Sequence, residues 1–255
     1  MMVELSVVIP AYNEEKRIGA TLASIARYLQ DKERLGAKGF LSWEIIVVDD
    51  GSKDRTVEVA RDVIKDSRVI ILKNTANMGK GYSVQRGVLN SNGEVILFSD
   101  ADLSTPIEEI EKILPLLNSG FDIVIGSRAL PDSAILVPQP WYRQIMGKVF
   151  NLLVRAFFVK GLKDTQCGFK CFKRKSALDI FNLQRLSGFA FDVEILYIAK
   201  KLGIKITDVP IRWLNSPDSR VRLLQGSLSM LIDIIKIKFY DWGGYYKKPL
   251  QKNKP

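Results

Sequence analysis

The stretch Leu5-Ser6-Val7-Val8-Ile9-Pro10-Ala11-Tyr12-Asn13-Glu14 runs from an apolar segment straight into a polar tip. Its large apolar residues follow one another without regular alternation, the pattern of a strand covered on both faces. Four more runs read the same way: Glu44 to Val48, Arg68 to Leu72, Glu94 to Phe98 and Asp122 to Ile125. Between them, Ile18, Leu22, Ile25 and Leu29 repeat at helical spacing, and residues 55–65, 80–90 and 107–118 read as further helices. Strands alternating with helices predict an α/β fold with a mostly parallel central sheet and helices on both faces.

In such sheets ligands bind beyond the carboxyl ends of the strands. The residues just past each strand are therefore informative: Pro10 to Glu14, Asp49-Asp50-Gly51-Ser52, Asn77-Met78-Gly79-Lys80-Gly81, Asp100-Ala101-Asp102 and Gly126-Ser127-Arg128. Two carboxylates spaced i, i+2 at a strand end make a hard, oxygen-only site suited to Mg2+ or Mn2+ and, through it, to a diphosphate. Aspartate at that place also serves as a helix cap, and Ser104 or Thr105 ahead of Pro106 reads as an N-cap with proline at the first helical position. Asp50 is able to meet the donors of a nucleobase or, equally, to close a turn. The glycine-bearing loop 77–81 opens a helix and lets Lys80 and backbone amides approach phosphate. No G-x-G-x-x-G spacing exists, which disfavours a dinucleotide site.

The 255 residues include 38 Lys plus Arg, 28 Asp plus Glu and no His. Without histidine the commonest general base and zinc ligand are missing, and Ser-His-Asp hydrolysis is excluded. Cys167 and Cys171 stand alone and read as reduced thiols packed in a cytosolic protein. Charge is unevenly spread: residues 1–127 hold 15 basic and 19 acidic side chains, residues 128–175 hold 10 and 2, and residues 211–255 hold 9 and 3. Those basic blocks coincide with apolar stripes, Ile145, Val149, Leu152, Leu153 and Ala156 within 141–158, and Leu224, Leu228, Leu231, Ile235 and Phe239 within 223–242. Basic amphipathic helices ending in Trp resemble interfacial membrane segments, although two helices packed on a core read the same way. No transmembrane span and no secretory leader is expected, so the expected location is cytoplasmic, peripheral on an anionic membrane face. In the second half, helices are expected near 141–159, 175–181 and 190–202, with extended pieces near 167–172 and 205–213. Residues 1–245 are expected to form one domain, with 1–127 the nucleotide half, 128–245 the acceptor half and 246–255 a polar tail.

Together these motifs resemble the inverting family-2 glycosyltransferases, whose fold is the Rossmann-like glycosyltransferase-A fold. Gly126-Ser127-Arg128, the run Asp164 to Lys170, the run Phe191 to Tyr197, and Trp213 look like the dolichyl-phosphate β-glucosyltransferase branch, a relative of the dolichyl-phosphate mannosyltransferases. The likeness spans roughly residues 5–242. It implies a UDP-glucose donor, a dolichyl or polyprenyl phosphate acceptor and Mg2+ or Mn2+ as cofactor. By the same resemblance Pro10, Ala11, Tyr12, Glu14, Asp50, Asn77, Lys80, Asp100 and Ala101 line the nucleotide-sugar site, Asp100 and Asp102 hold the metal, and Asp102, Arg128, Arg143 and Arg220 serve catalysis. Ser104 stands where mannosyltransferase relatives carry a metal-binding Gln. Gln166, Lys170 and Asp192 fall on the acceptor side, with Asp192 a candidate base. Competing readings are a GDP-mannose donor, a soluble or polysaccharide acceptor deprotonated by Asp192, and a sugar nucleotidyltransferase. A nucleic-acid partner is not expected, because the acidic strand tips would repel a polyanion.

Overall fold

A computed structural model describes residues 3–63, 65–137, 147, 151–152, 154, 158–159, 161–214 and 223–247, without the side chains of 223–229 and 231. Arg143, Arg220 and most of the helix expected over 141–159 lie outside the described residues.

Among the described residues, seven strands form one sheet: β1 (Leu5–Ala11), β2 (Trp43–Asp49), β3 (Val69–Lys73), β4 (Val95–Ser99), β5 (Ile123–Ser127), β7 (Phe169–Lys173) and β8 (Ile206–Pro210), in the order β3-β2-β1-β4-β7-β5-β8. Strands β6 (Ala134–Val137) and β9 (Arg212–Leu214) make a separate parallel pair. Every pairing in the large sheet is parallel except those of β7, which runs antiparallel to both β4 and β5. The five expected strands appear within one or two residues of their expected bounds.

Seven helices flank these strands in the described chain: α1 (Ile18–Arg34), α2 (Thr56–Val63), α3 (Lys80–Leu89), α4 (Ile110–Asn118), α5 (Arg174–Phe181), α6 (Phe191–Lys201) and α7 (Leu223–Trp242). The continuous apolar runs are explained by two cores. Val8, Ile46, Val48, Ile96 and Phe98 pack with Val84 and Val88 of α3, Ile180 and Phe181 of α5 and the buried residues of α6. Val7, Ile9, Ile45, Val47 and Leu97 turn to the other face, against Ile18, Leu22 and Ile25 of α1 and Ile110 and Ile113 of α4. Successive residues thus enter opposite layers, and every position of β1, β2 and β5 is buried.

One helix start departs from expectation. Neither Ser104 nor Thr105 caps the segment before α4; Pro106 itself occupies the cap position of a 3-10 turn, Ile107–Glu109, with no side-chain cap bond. Asp102 Oδ1 accepts the Ser104 amide at 3.0 Å, a turn contact ahead of the helix.

Both cysteines are free and buried. Burial pushes the Cys167 thiol up to about 11 and the Cys171 thiol higher still. Neither is expected to react with a thiol-disulfide reagent in the native protein at pH 8, and both are expected to react at once in denaturant. Fast labelling of either thiol in the folded chain would contradict this packing.

Candidate functional site

Strand order decides where the site lies. β1 pairs with β2 on one side and β4 on the other, so the chain reverses direction of travel across the sheet between β1 and β4. At such a switch point the loops leaving two strands part and open a crevice. A cavity of about 420 Å³ sits there, lined by Pro10, Ala11, Tyr12, Glu14, Arg17, Asp50, Asn77, Gly79, Lys80, Ser83, Asp100, Ala101, Asp102 and Phe189. All nine expected nucleotide-site residues and Asp102 meet in this one cavity. Arg17, Gly79, Ser83 and Phe189 are additions. Arg17 was open to detection, since it lies three residues beyond Glu14 and bonds it through Nε at 2.7 Å. Phe189 carries no motif; it arrives on a loop from the far half of the chain.

The loops are fixed to one another by side chains. Asn13, at φ 54, donates its amide to Ser52 Oγ at 2.8 Å and accepts the Lys53 amide on Oδ1 at 2.8 Å. Glu14 donates its amide to Thr56 Oγ1 at 2.7 Å. These bonds tie the tip of β1 to the tip of β2. Thr21 of α1 donates to the Ala101 carbonyl at 2.7 Å, which anchors the turn carrying both aspartates.

Asp50 organises the third loop. Its carboxylate accepts the Asn74 side-chain amide at 2.8 Å and the backbone amides of Met78 and Gly79, each at 2.9 Å. Gly79 takes φ 101, a conformation costly for any residue with a Cβ. From there α3 begins at Lys80, whose ammonium reaches Asp100 Oδ1 at 2.6 Å. Burial works against that charge, but Asp100, Asp192 and Asp102 outweigh it and hold the Lys80 pKa above its ordinary value.

The antiparallel β7 brings a further group to the same edge. Because Phe169 pairs with Ser99, the turn before β7 lies beside the turn after β4. Gly168 approaches so closely that a Cβ there would overlap the Asp100 carboxylate. In the same turn Asp164 accepts Arg128 Nε at 2.6 Å and Nη2 at 3.0 Å, a bidentate pair, and the guanidinium lies 5.5 Å from the Trp213 ring. Burial opposes the Arg128 charge, while Asp164 and, more weakly, Cys167 and Asp100 hold its pKa above the usual value. Arg128 lies outside the cavity lining.

Gln166, whose amide bonds Asp164 Oδ1 at 3.2 Å, shares that turn and does not line the cavity either. Lys170 is fully buried and bonds Asp192 Oδ1 and the Cys167 carbonyl, both at 2.5 Å. Burial raises the Asp192 pKa against the pull of Lys170 and Lys80. Asp192 is therefore a buried carboxylate already held by a cation, and it does not line the cavity.

Asp100 and Asp102 offer a divalent cation two hard oxygen donors on one wall. Among the described residues no group of three or more His, Cys, Asp or Glu is able to hold a metal. This donor set fits a cation that keeps its other positions for phosphate oxygens and water, as Mg2+ commonly does.

A profile of glycosyl transferase family 2 matches residues 6–181. The chain is 38% identical over 251 residues to a dolichyl-phosphate beta-glucosyltransferase of Dictyostelium discoideum, covering 95% of this chain and 76% of that protein. It is 35% identical over 244 residues to the human protein of the same description, covering 92% and 75%. Among solved structures it resembles glucosyl-3-phosphoglycerate synthase from Mycobacterium tuberculosis in complex with Mn2+ and uridine-diphosphate-glucose, with a TM-score of 0.66, 19% identity, and coverage of 92% of this chain and 79% of that one. That likeness is one of fold, and it agrees with the glycosyltransferase-A architecture expected from the motifs.

Asp50→Asn would set an NH2 group against the backbone amide of Gly79, or against that of Met78 together with the Asn74 side-chain amide, and leave donors facing donors. Its expected cost is about 1–3 kcal/mol, read as a lowered urea midpoint with an unchanged slope. A stability equal to wild type would show that the loop does not need the carboxylate.

Proposed function

The chain belongs to glycosyl transferase family 2, and on that footing we propose that it transfers glucose from UDP-glucose to dolichyl phosphate or a similar polyprenyl phosphate with inversion at the anomeric carbon. The observation that carries this reading is the single cavity at the β1–β4 crevice, with two aspartates, a lysine and a helix start on its walls. The names of the relatives, covering more than nine-tenths of this chain, supply glucose and the lipid acceptor.

In this reading the nucleotide lies over the tips of β1 and β2, between Pro10, Tyr12 and Asp50, with its diphosphate toward Lys80 and the start of α3. Lys80 is suited to that task because neighbouring carboxylates keep its ammonium charged. Asp100 and Asp102 would hold Mg2+ or Mn2+, and that ion, when bound, supplies positive charge to the departing diphosphate. The same fold in the mycobacterial synthase takes Mn2+ together with its nucleotide sugar.

The acceptor phosphate needs no general base. A phosphate monoester has a second pKa near 6 and is mostly dianionic at neutral pH, so its oxygen is already a nucleophile. This suits a chain without histidine, and it suits Asp192, which Lys170 already engages. Arg128, oriented by Asp164, would hold the acceptor phosphate in line with the sugar, joined by Arg143 and Arg220. A soluble acceptor would call for a free carboxylate base, and Asp192 is poorly suited to be one.

A lipid acceptor also requires contact with a bilayer. We read α7 as that contact, at the anionic cytoplasmic face. Its outward side carries Ile232, Ile235, Phe239 and Trp242, the last 77% exposed, with Lys236 alongside. No helix among the described residues is long and apolar enough to cross a membrane, so the attachment proposed is peripheral.

Incubation with UDP-glucose, UDP-galactose or GDP-mannose and a short polyprenyl phosphate should give a hexosyl lipid phosphate only with UDP-glucose, identified by mass spectrometry. Product from GDP-mannose alone would reassign the sugar. Asp102→Ala should lower turnover about a hundredfold, equivalent to about 3 kcal/mol; near-normal turnover would remove Asp102 from the chemistry. Phe239→Glu with Trp242→Glu should abolish cosedimentation with anionic liposomes while leaving the melting temperature within a few degrees. Retained binding would sink the assignment of α7.

A further inference from the structure

Glu194 takes no part in the chemistry above, yet its carboxylate is fully enclosed on α6. An isolated carboxylate there would be strongly disfavoured. Three donors surround it instead. Oε1 accepts the Arg185 amide at 2.9 Å and the Tyr246 hydroxyl at 2.6 Å, and Oε2 accepts the Leu186 amide at 2.8 Å. Burial pushes its pKa up, and those donors act in the opposite direction.

The two amides begin the segment that ends in Phe189, the cavity-lining residue no sequence motif marks. That segment lies tightly against the loop Asp50 organises. A Cβ at Gly79 would strike the Ser187 carbonyl, and one at Gly81 would come within 2.7 Å of the Leu186 carbonyl. Tyr82 donates its amide to the Ser187 carbonyl at 3.2 Å. Gln184 Nε2 spans the same junction, bonding the Gly81 carbonyl at 2.9 Å and the Leu186 carbonyl at 2.8 Å. On the outer side, Asp233 of α7 would meet a Cβ at Gly188 at 3.4 Å. Tyr246 lies just past α7, fully buried against Tyr197 and Tyr240.

A continuous strut therefore runs from Tyr246 through Glu194 to residues 185–188, across to Gly79 and on to Asp50. Each link is a hydrogen bond or a backbone contact. Resting on the reading of this cavity as the sugar-nucleotide site, we propose that Glu194 and Tyr246 are positioning residues that hold residues 185–189 as one wall of that site and thereby set its affinity for the donor. Neither touches the reacting atoms. The chain segment following α7 is by this account part of the donor site's framework.

Tyr246→Phe deletes one oxygen and keeps the ring packing, and Glu194→Gln sets an NH2 group among the donors. In both, the KM for UDP-glucose and the Kd for UDP should rise about five- to tenfold. The turnover at saturating donor and the KM for polyprenyl phosphate should stay within about twofold. Hydrogen exchange at residues 185–188, measured without ligand, should quicken in both variants. Ile198→Val, a buried change on the same helix, should lower the melting temperature without moving the UDP Kd, which separates positioning from general destabilisation. The proposal is overturned if Tyr246→Phe quickens exchange at 185–188 yet binds UDP like wild type, or if neither variant alters exchange. Failure of the wild-type chain itself to bind UDP or UDP-glucose overturns the reading of the cavity, an outcome separate from any effect of the variants.

Discussion

An ammonium 2.6 Å from a carboxylate at the tip of β4 governs the form of the whole carboxyl edge of the sheet. The cavity gathers Glu14, Asp50, Asp100 and Asp102 within one small volume. Carboxylates so crowded would repel one another and any phosphate that came near. Arg17 answers Glu14, backbone amides answer Asp50, and Lys80 answers Asp100. Lys80 reaches its place only because α3 starts there, and α3 starts there because Gly79 adopts a left-handed turn that Asp50 pins. The ion pair and the loop are thus one device: carboxylate at the second strand, loop at the third, cation at the helix start, carboxylate at the fourth strand.

The reversed strand β7 supplies what a wholly parallel sheet would not. Parallel strands all deliver their carboxyl ends to one edge, whereas an antiparallel strand delivers the turn that precedes it. Asp164, Gln166 and Gly168 reach the edge by that route, and with them comes the partner that orients Arg128. Two residues further on, Lys170 points inward and meets Asp192. A buried pair of this kind gains little net stability, because removing both ions from water offsets most of their attraction. Its consequence is local: it fixes the Lys170 ammonium 5.9 Å from the Phe98 ring, which also lies 5.2 Å from the Lys80 ammonium. Asp192 thus adds a buried carboxylate to Asp100 and Asp102 in the field that keeps Lys80 charged.

The first five strands and their tips were legible because covering both faces of a strand demands an unbroken apolar run, and such runs end abruptly at Pro10, Asp49 and Asp100. Ten expected site residues met in one cavity for the same reason: parallel strands bring their following loops together whatever the side chains are. The direction of β7 was not legible. Phe169-Lys170-Cys171-Phe172-Lys173 reads as a short extended piece, and nothing local in it says which way it runs. The cap expected at Ser104 or Thr105 does not form, because the helix starts later, with Pro106 at the cap position and no side chain bonding its first amides. Phe189 and the Glu194 strut stayed hidden because they depend on a contact between residues a hundred positions apart. For α7, helical spacing identified apolar residues but not their direction. Ile234 and Ile237 face the core, while Ile235 and Phe239 of the expected stripe face outward.

That double-sided character of α7 has a physical reading. A surface helix ordinarily turns one apolar stripe inward and polar residues outward. Here the inward stripe meets α6, helped by Asp241, which accepts from the Tyr197 hydroxyl at 2.6 Å and pairs with Lys201. The outward stripe carries Phe239 and Trp242 as an edge-to-face pair, rings 5.6 Å apart, with most of their surface in solvent. Leaving that area wet is unfavourable at roughly 25 cal/mol per Å², a penalty recovered only when something apolar covers it. On the reading proposed above, in which α7 meets a bilayer, the place of this helix matters as much as its composition. Asp233 adjoins Gly188 and Tyr246 bonds Glu194, so α7 and the residues just past it also back the segment that carries Phe189 into the cavity. In that reading one segment, residues 185–189, separates the membrane-facing helix from the donor site.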